Sequence, residues 1–117
     1  MNKSTYYLNM GKGKPVKVEG YIFKVDEYTF GVDKRADDPK YDEAPYVVTE
    51  INTGFSLGTQ YAGNSVDEAV DKVTKGIKAI RERMNTVKGK TKFIDYVSEF
   101  KRQISESETK TSRRRLI

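Results

Sequence analysis

Apolar residues along this chain change their period once, and the change separates a sheet-forming part from a helical part. Within Val16–Val25, Tyr21, Phe23 and Val25 fall on one face of a strand, with Gly20 marking a bulge or a bend. Asp26–Glu27 offers a turn, after which Tyr28, Phe30 and Val32 alternate on a returning strand. Tyr46–Ile51 is aromatic and β-branched, Asn52-Thr53-Gly54 supplies turn residues, and Phe55 and Leu57 alternate on a further strand. Upstream, Thr5–Leu8 fits a short edge strand or an ordered arm.

From Ser65 the spacing becomes helical. Ser65-Val66-Asp67-Glu68 is a capping box, in which the hydroxyl bonds the Glu68 amide and the carboxylate reaches back. Val66, Ala69, Val70, Val73, Ile77, Ile80 and Met84 then recur at steps of three and four. The spacing predicts one helix of roughly 30 Å at about 1.5 Å per residue. Gly76 interrupts it, either to admit a neighbouring backbone or as a tolerated weak point costing about 1 kcal/mol against Ala. Thr91 suits the start of a second helix whose stripe is Phe93, Ile94, Val97, Phe100 and Ile104. The pattern therefore predicts an α+β fold: an antiparallel sheet of four or five strands, one long packing helix and a C-terminal helix. Residues 1–104 form the single domain, and 105–117 have the composition of a disordered basic tail.

Charge changes this picture more than length does. The 117 residues suit one domain, and 33% of them are charged, above the roughly 25% of an average soluble protein. The net charge of +5 is unevenly placed. Residues 1–20 carry four Lys and one Glu; residues 21–64 carry four basic and eight acidic groups. Residues 65–104 carry ten basic and six acidic groups, and the tail four and two. A negative middle between positive ends can meet an anionic partner at either end. With no Cys and no His, the chain lacks disulfides, thiol and imidazole chemistry and the usual zinc ligands. Serine and cysteine triads built on imidazole are thereby excluded. Asp, Glu, Lys and Tyr remain for acid–base work, but the carboxylates sit in surface contexts, so the expectation is a protein without catalysis and without a cofactor. No apolar run approaches the roughly 20 residues of a membrane span, and no signal-peptide core begins the sequence. A cytoplasmic protein without membrane contact is expected.

Candidate binding residues follow from the charge blocks. Asp33, Asp37, Asp38, Asp42 and Glu43 lie in a polar connection between Asp33 and Pro45. That set reads first as a solvated loop, then as a phosphate mimic that attracts a nucleic-acid-binding partner. It lacks the spacing of a calcium loop, so no metal is assigned. Lys12, Lys14 and Lys17 form a basic arm; Lys88 and Lys90 flank a loop glycine; Arg113, Arg114 and Arg115 end the tail. Gly11-Lys12-Gly13-Lys14-Pro15 is no P-loop, because Pro15 leads into a strand instead of a helix. The aromatic stripe of Tyr21, Phe23, Tyr28 and Phe30 suits the core better than base stacking, since the helices need a sheet face to cover.

The octapeptide Gly63-Asn64-Ser65-Val66-Asp67-Glu68-Ala69-Val70, opening a helix after three strands, resembles the HicB-type antitoxin domain and, more loosely, the double-stranded-RNA-binding fold. The likeness spans Tyr28 to Ile80. Asp67 and Glu68 stand where RNA-binding domains carry lysines, which argues against duplex RNA on this helix. In style the chain also resembles the small Lys- and Tyr-rich accessory proteins of phages and mobile elements in Gram-positive bacteria, inhibitors of CRISPR nucleases among them. The resemblance implies a non-catalytic binding protein whose partner is nucleic acid or a protein–nucleic-acid complex such as a host nuclease. The alternative is an antitoxin-like module, or a homodimer through the Phe93–Ile104 helix.

Overall fold

A computed structural model describes residues 3–10, 14–85 and 97–107. Its strands are β1 (Lys3–Leu8), β2 (Val16–Val25), β3 (Tyr28–Lys34) and β4 (Tyr46–Glu50), its helices α1 (Val66–Lys75) and α2 (Ile77–Asn85). A further helical segment, α3, covers residues 97–107. The sheet is an antiparallel meander in the order β1-β2-β3-β4. The α+β class follows.

One sheet face carries the main core. Tyr28, Phe30, Val32 and Val48 pack against Ala69, Val73, Ile80 and Met84 of the two helices, with Leu57 and Tyr61 between. The aromatic stripe belongs here: Phe23 and Phe30 stand 5.5 Å apart between ring centroids, and Phe30 is fully buried. The tight β2–β3 turn puts Asp26 at φ 53°, a left-handed conformation that Asp tolerates better than most residues. Arg81 of α2 clamps that turn, meeting Asp26 and Glu27 at 2.7 Å each. The clamp holds the Glu27 carboxyl below its ordinary range, chiefly through the Arg81 hydrogen bond.

Three expectations need correction. The single long helix is two, parted at Gly76. Hydrogen bonds from the Gly76 amide to Lys72 O and from Ile80 to Gly76 O, both 3.0 Å, still run through the junction. What occupies the site is Tyr61, whose Cε1 would lie 2.6 Å from a Cβ at position 76. The glycine admits an aromatic ring. Gly76→Ala would gain about 1 kcal/mol of helix propensity but force a buried ring to move, for about 1–3 kcal/mol of overpacking. A lowered denaturation midpoint is the expected result, and a raised one would show that Tyr61 yields freely.

The fifth strand is absent among the described residues. Only isolated bridges, Thr49–Ser56 and Tyr46–Gly63, pair with β4 on that side. Gly58, at φ 86°, and the 3-10 turn Thr59–Tyr61 break the ladder and send Tyr61 into the core. Even so, Leu57 donates to Val48 O at 2.9 Å and Gly63 exchanges two 3.0 Å bonds with Tyr46, so this edge of β4 is covered. Third, Asp33 is no loop residue: β3 runs on to Lys34, and Asp33 sits within it.

The capping box forms with a changed partner. The Glu68 amide donates to Ser65 Oγ at 3.1 Å, but the Glu68 carboxylate accepts from the Asn64 amide at 3.3 Å. At Gly20 the register of β2 with β1 runs on without an inserted residue, and the register with β3 begins at the next residue, Tyr21, so the ladder shows no bulge there. Instead β2 shares its length, its first half pairing with β1 and its second with β3. This lets β1 lean over the second sheet face, where the Tyr6 ring rests on Gly31 and Asn9 donates to Gly54 O at 2.8 Å. A Cβ at Gly31 would meet Tyr6 Cζ at 2.5 Å, and one at Gly20 would run into Val32 O. Helix α3 closes the far end, with the buried Phe100 ring against Gly54. Its helical residues pass Ile104 and include residues 105–107, which the sequence had placed in the tail.

Candidate interaction surface

Among the described residues a few ionisable groups are buried and held by internal bonds, and many of the exposed ones pair on the surface, as Lys72 with Glu68 and Lys75 with Asp71. In the buried set, Asp33 lies under Tyr6, whose hydroxyl donates to Asp33 Oδ1 at 2.8 Å. Arg35 Nε donates to Asp33 Oδ2 at 3.2 Å, and its Nη2 to Thr49 Oγ1 at 3.2 Å. Burial first, then the Asp33 charge and hydrogen bond, pushes the Tyr6 phenol above its ordinary range. Glu50 is fully buried and takes the Asn52 amide at 2.6 Å and the Thr53 amide at 3.1 Å. Burial pushes its carboxyl up to about 7, against the opposing pull of those two amides. Among the described residues no buried side-chain nitrogen or oxygen lacks a partner.

Asp37, Asp42 and Glu43 are exposed on the connection from Arg35 to Pro45, and that connection is pinned. Arg35 donates to Pro45 O at 2.8 Å, closing its base. Asp38 caps a 3-10 turn at Pro39–Tyr41 by accepting the Lys40 amide at 3.0 Å. Tyr41 is buried against Val47 and Ala62 and shares a 3.2 Å hydrogen bond with Ser56. Asp37, Asp42 and Glu43 are left facing solvent on a fixed scaffold. A cleft of about 510 Å³ borders this turn on one side, lined by Leu8, Val18 and residues 33–39. On the other side a smaller one, about 380 Å³, is lined by residues 39–44 with Thr59 and Ala62. Pro39 is common to both.

Of the five predicted acidic residues, the structure brings Asp37, Asp38, Asp42 and Glu43 onto one turn and removes Asp33 into the interior. Of the basic ones, Lys14 and Lys17 are exposed at the outer end of the β1–β2 ladder, with the Lys17 amine 6.0 Å from the Tyr7 ring centroid. That end of the ladder is also where Leu8 and Val18 enter the larger cleft, so lysines and carboxylates distant in sequence share one end of the molecule. Lys12, Lys88, Lys90, Arg113, Arg114 and Arg115 lie outside the described residues, as do Phe93 and Ile94. The partner face predicted for the last helix is partly used within the chain, because Phe100 is 1% exposed. Among the described residues no three metal-ligating side chains converge. No described helix is long and apolar enough to cross a membrane.

Sequence reasoning missed the Tyr6–Asp33–Arg35–Thr49 network and the Glu50 turn. The first had a faint signal in Gly20 and Gly31, two glycines in adjacent strands that leave a trough for a ring. The second had a local one, a glutamate just before Asn52-Thr53-Gly54. Comparisons of the chain with protein-family models, with curated proteins and with solved structures returned no match.

Proposed function

We propose that this chain is a non-catalytic binding protein directed at nucleic acid or a nucleic-acid-processing complex, of the kind by which phages and mobile elements block a host CRISPR nuclease. The observation that carries this reading is the division of charge. The buried ionisable groups described here are engaged by protein partners, many exposed ones pair with each other on the helices and the β2–β3 turn, and Asp37, Asp42 and Glu43 stand exposed on a pinned turn while Lys14 and Lys17 stand exposed along the β1–β2 ribbon. A fixed row of carboxylates offers a DNA-binding groove the charge pattern of a phosphate strand, and Lys14 and Lys17 offer an anionic surface its complement. Charge sorted this way speeds encounter and selects partners more than it adds affinity.

The test is target cleavage by a panel of CRISPR effectors with and without the purified protein, coupled to pull-down. Expected is inhibition that the triple variant Asp37→Lys, Asp42→Lys, Glu43→Lys abolishes while its circular dichroism stays that of the parent. Complete cleavage at saturating protein would dispose of the nuclease reading. Direct nucleic-acid binding is read separately in a salt titration. There the logarithm of affinity should fall with that of salt at a slope of about 0.9 per phosphate neutralised on duplex DNA.

A further inference from the structure

Of the two buried carboxylates among the described residues, Asp33 has a guanidinium beside it and Glu50 does not. No described Lys or Arg forms an ion pair with Glu50. It stands fully buried at the end of β4, and its two oxygens take the Asn52 and Thr53 amides inside the loop that follows. Main-chain bonds close the same loop: Gly54 donates to Glu50 O at 2.8 Å, and Glu50 to Phe55 O at 3.0 Å. A buried charge held by amide dipoles without a counter-ion is expensive, and water is its natural relief.

Two distant elements are seated on the outside of this loop. The end of β1 holds its carbonyls, the Asn9 amide donating to Gly54 O at 2.8 Å and Asn9 Nδ2 to Thr53 O at 3.2 Å. Helix α3 holds its tip, where the Phe100 ring fills the space that a Cβ on Gly54 would need. Val97 and Phe100 are buried, while the other described residues of α3 are half-buried or exposed. The seat at Gly54 is therefore a main part of what holds the helix. Elements with few buried apolar contacts are the ones that open locally.

The groups around Glu50 leave its own proton in control. From β3 the Tyr28 phenol faces it; burial first, then the Glu27 and Glu50 charges, raises that phenol above its ordinary range and out of the neutral window. On α2, Arg81 is held by Asp26 and Glu27, and Arg83 donates to Leu57 O at 3.1 Å. On α3, Arg102 is held by Glu99 and Glu106, and Lys101 is exposed. From β1 the loop meets the uncharged Asn9. With the loop closed, burial pushes the Glu50 carboxyl up to about 7; an open loop returns it to water and its ordinary 4.5. The closed form binds the proton more tightly, so acid favours closure and rising pH weakens it.

We infer that the loop from Ile51 to Phe55 is a pH-sensitive latch for α3, closed with Phe100 seated while Glu50 is protonated and opened, with release of the helix, when Glu50 ionises. The latch is independent of the partner surface proposed above, since neither this loop nor α3 contributes a residue to the acidic turn or to Lys14 and Lys17.

Native-state hydrogen exchange on the full chain from pH 5 to 8, corrected for the intrinsic rate at each pH, tests this. Short helices are marginal in water, so the α3 amides lose protection once the helix leaves its seat. Amides from Phe100 to Gln103 should be less protected than that of Val48, and their opening constant should rise on the order of a hundredfold across the range. Glu50→Gln, keeping a parental circular dichroism spectrum, should hold that constant level. Phe100→Ala should strip α3 of protection even at pH 5 while Val48 stays protected. Protection of α3 that is flat with pH in the wild type overturns the inference. So does a slope that survives in Glu50→Gln, an α3 that opens only together with Val48, or one that stays protected without the Phe100 ring.

Discussion

Asp33→Ala is expected to cost about 3–5 kcal/mol, a large share of the roughly 5–15 kcal/mol that holds a domain together. The carboxylate is 7% exposed and serves two elements at once, the Tyr6 hydroxyl from β1 and the Arg35 guanidinium from the turn after β3. Without it the phenol has no acceptor in its trough, and Arg35 keeps Thr49 but loses its counter-charge. A partly buried cation left without its counter-charge costs more than a missing neutral bond. Tyr6→Phe should therefore cost only about 1 kcal/mol, since Asp33 retains Arg35. In the Asp33→Ala background the same change should cost almost nothing further, which a double-mutant cycle in urea reads directly. An Asp33→Ala protein within about 0.5 kcal/mol of wild type, the range of ordinary surface substitutions, would mean that water replaces the carboxylate and that the network is decoration.

How much of this was legible beforehand depended on how local the deciding interaction was. Ser65 announces α1 because a cap needs only the next three residues. Asn52-Thr53-Gly54 announces its turn for the same reason, and Gly54 sits at φ 72°. The strands from Tyr21 to Val32 and from Tyr46 to Glu50 follow from alternation alone. Each failure has a distant partner behind it. The helix parts at Gly76 because Tyr61, fifteen positions earlier, needs the space where a Cβ would be. Asp33 reads as one acid among five until Tyr6 and Arg35 close on it from opposite directions along the chain. Phe55 and Leu57 alternate like a strand, yet Gly58 turns the segment before a ladder can grow. The candidate surface shows the same division. Composition marks Asp37, Asp42 and Glu43 as charged and exposed, but it cannot reveal that Tyr41 anchors their turn or that Leu8 and Val18 come up beside it.

Glu50 yields the second large effect, a pH dependence opposite in sign to that of ordinary acid denaturation. Its carboxyl is pushed up to about 7 from an ordinary 4.5, because burial penalises the charge more than the Asn52 and Thr53 amides favour it. A group whose folded value lies above its unfolded one binds its proton more tightly in the folded state. It therefore contributes stability fully below about pH 4.5, and that contribution is lost as pH rises through about 7. At about 1.4 kcal/mol per unit, the loss between those limits is on the order of 3 kcal/mol. The chain contains no His, so no other side chain of ordinary pKa titrates between about pH 5 and 8, and the slope there reports Glu50 with little interference. The urea midpoint of the wild type should accordingly fall across that window. Glu50→Gln removes the titration. Its carbonyl oxygen can accept one of the two amides, while its NH₂ opposes the other, so the variant should start weaker in acid and show no slope. The two curves should converge or cross as pH rises toward 8. Parallel curves would mean that the carboxylate is ionised throughout, with the turn amides stabilising the charge enough to cancel its burial.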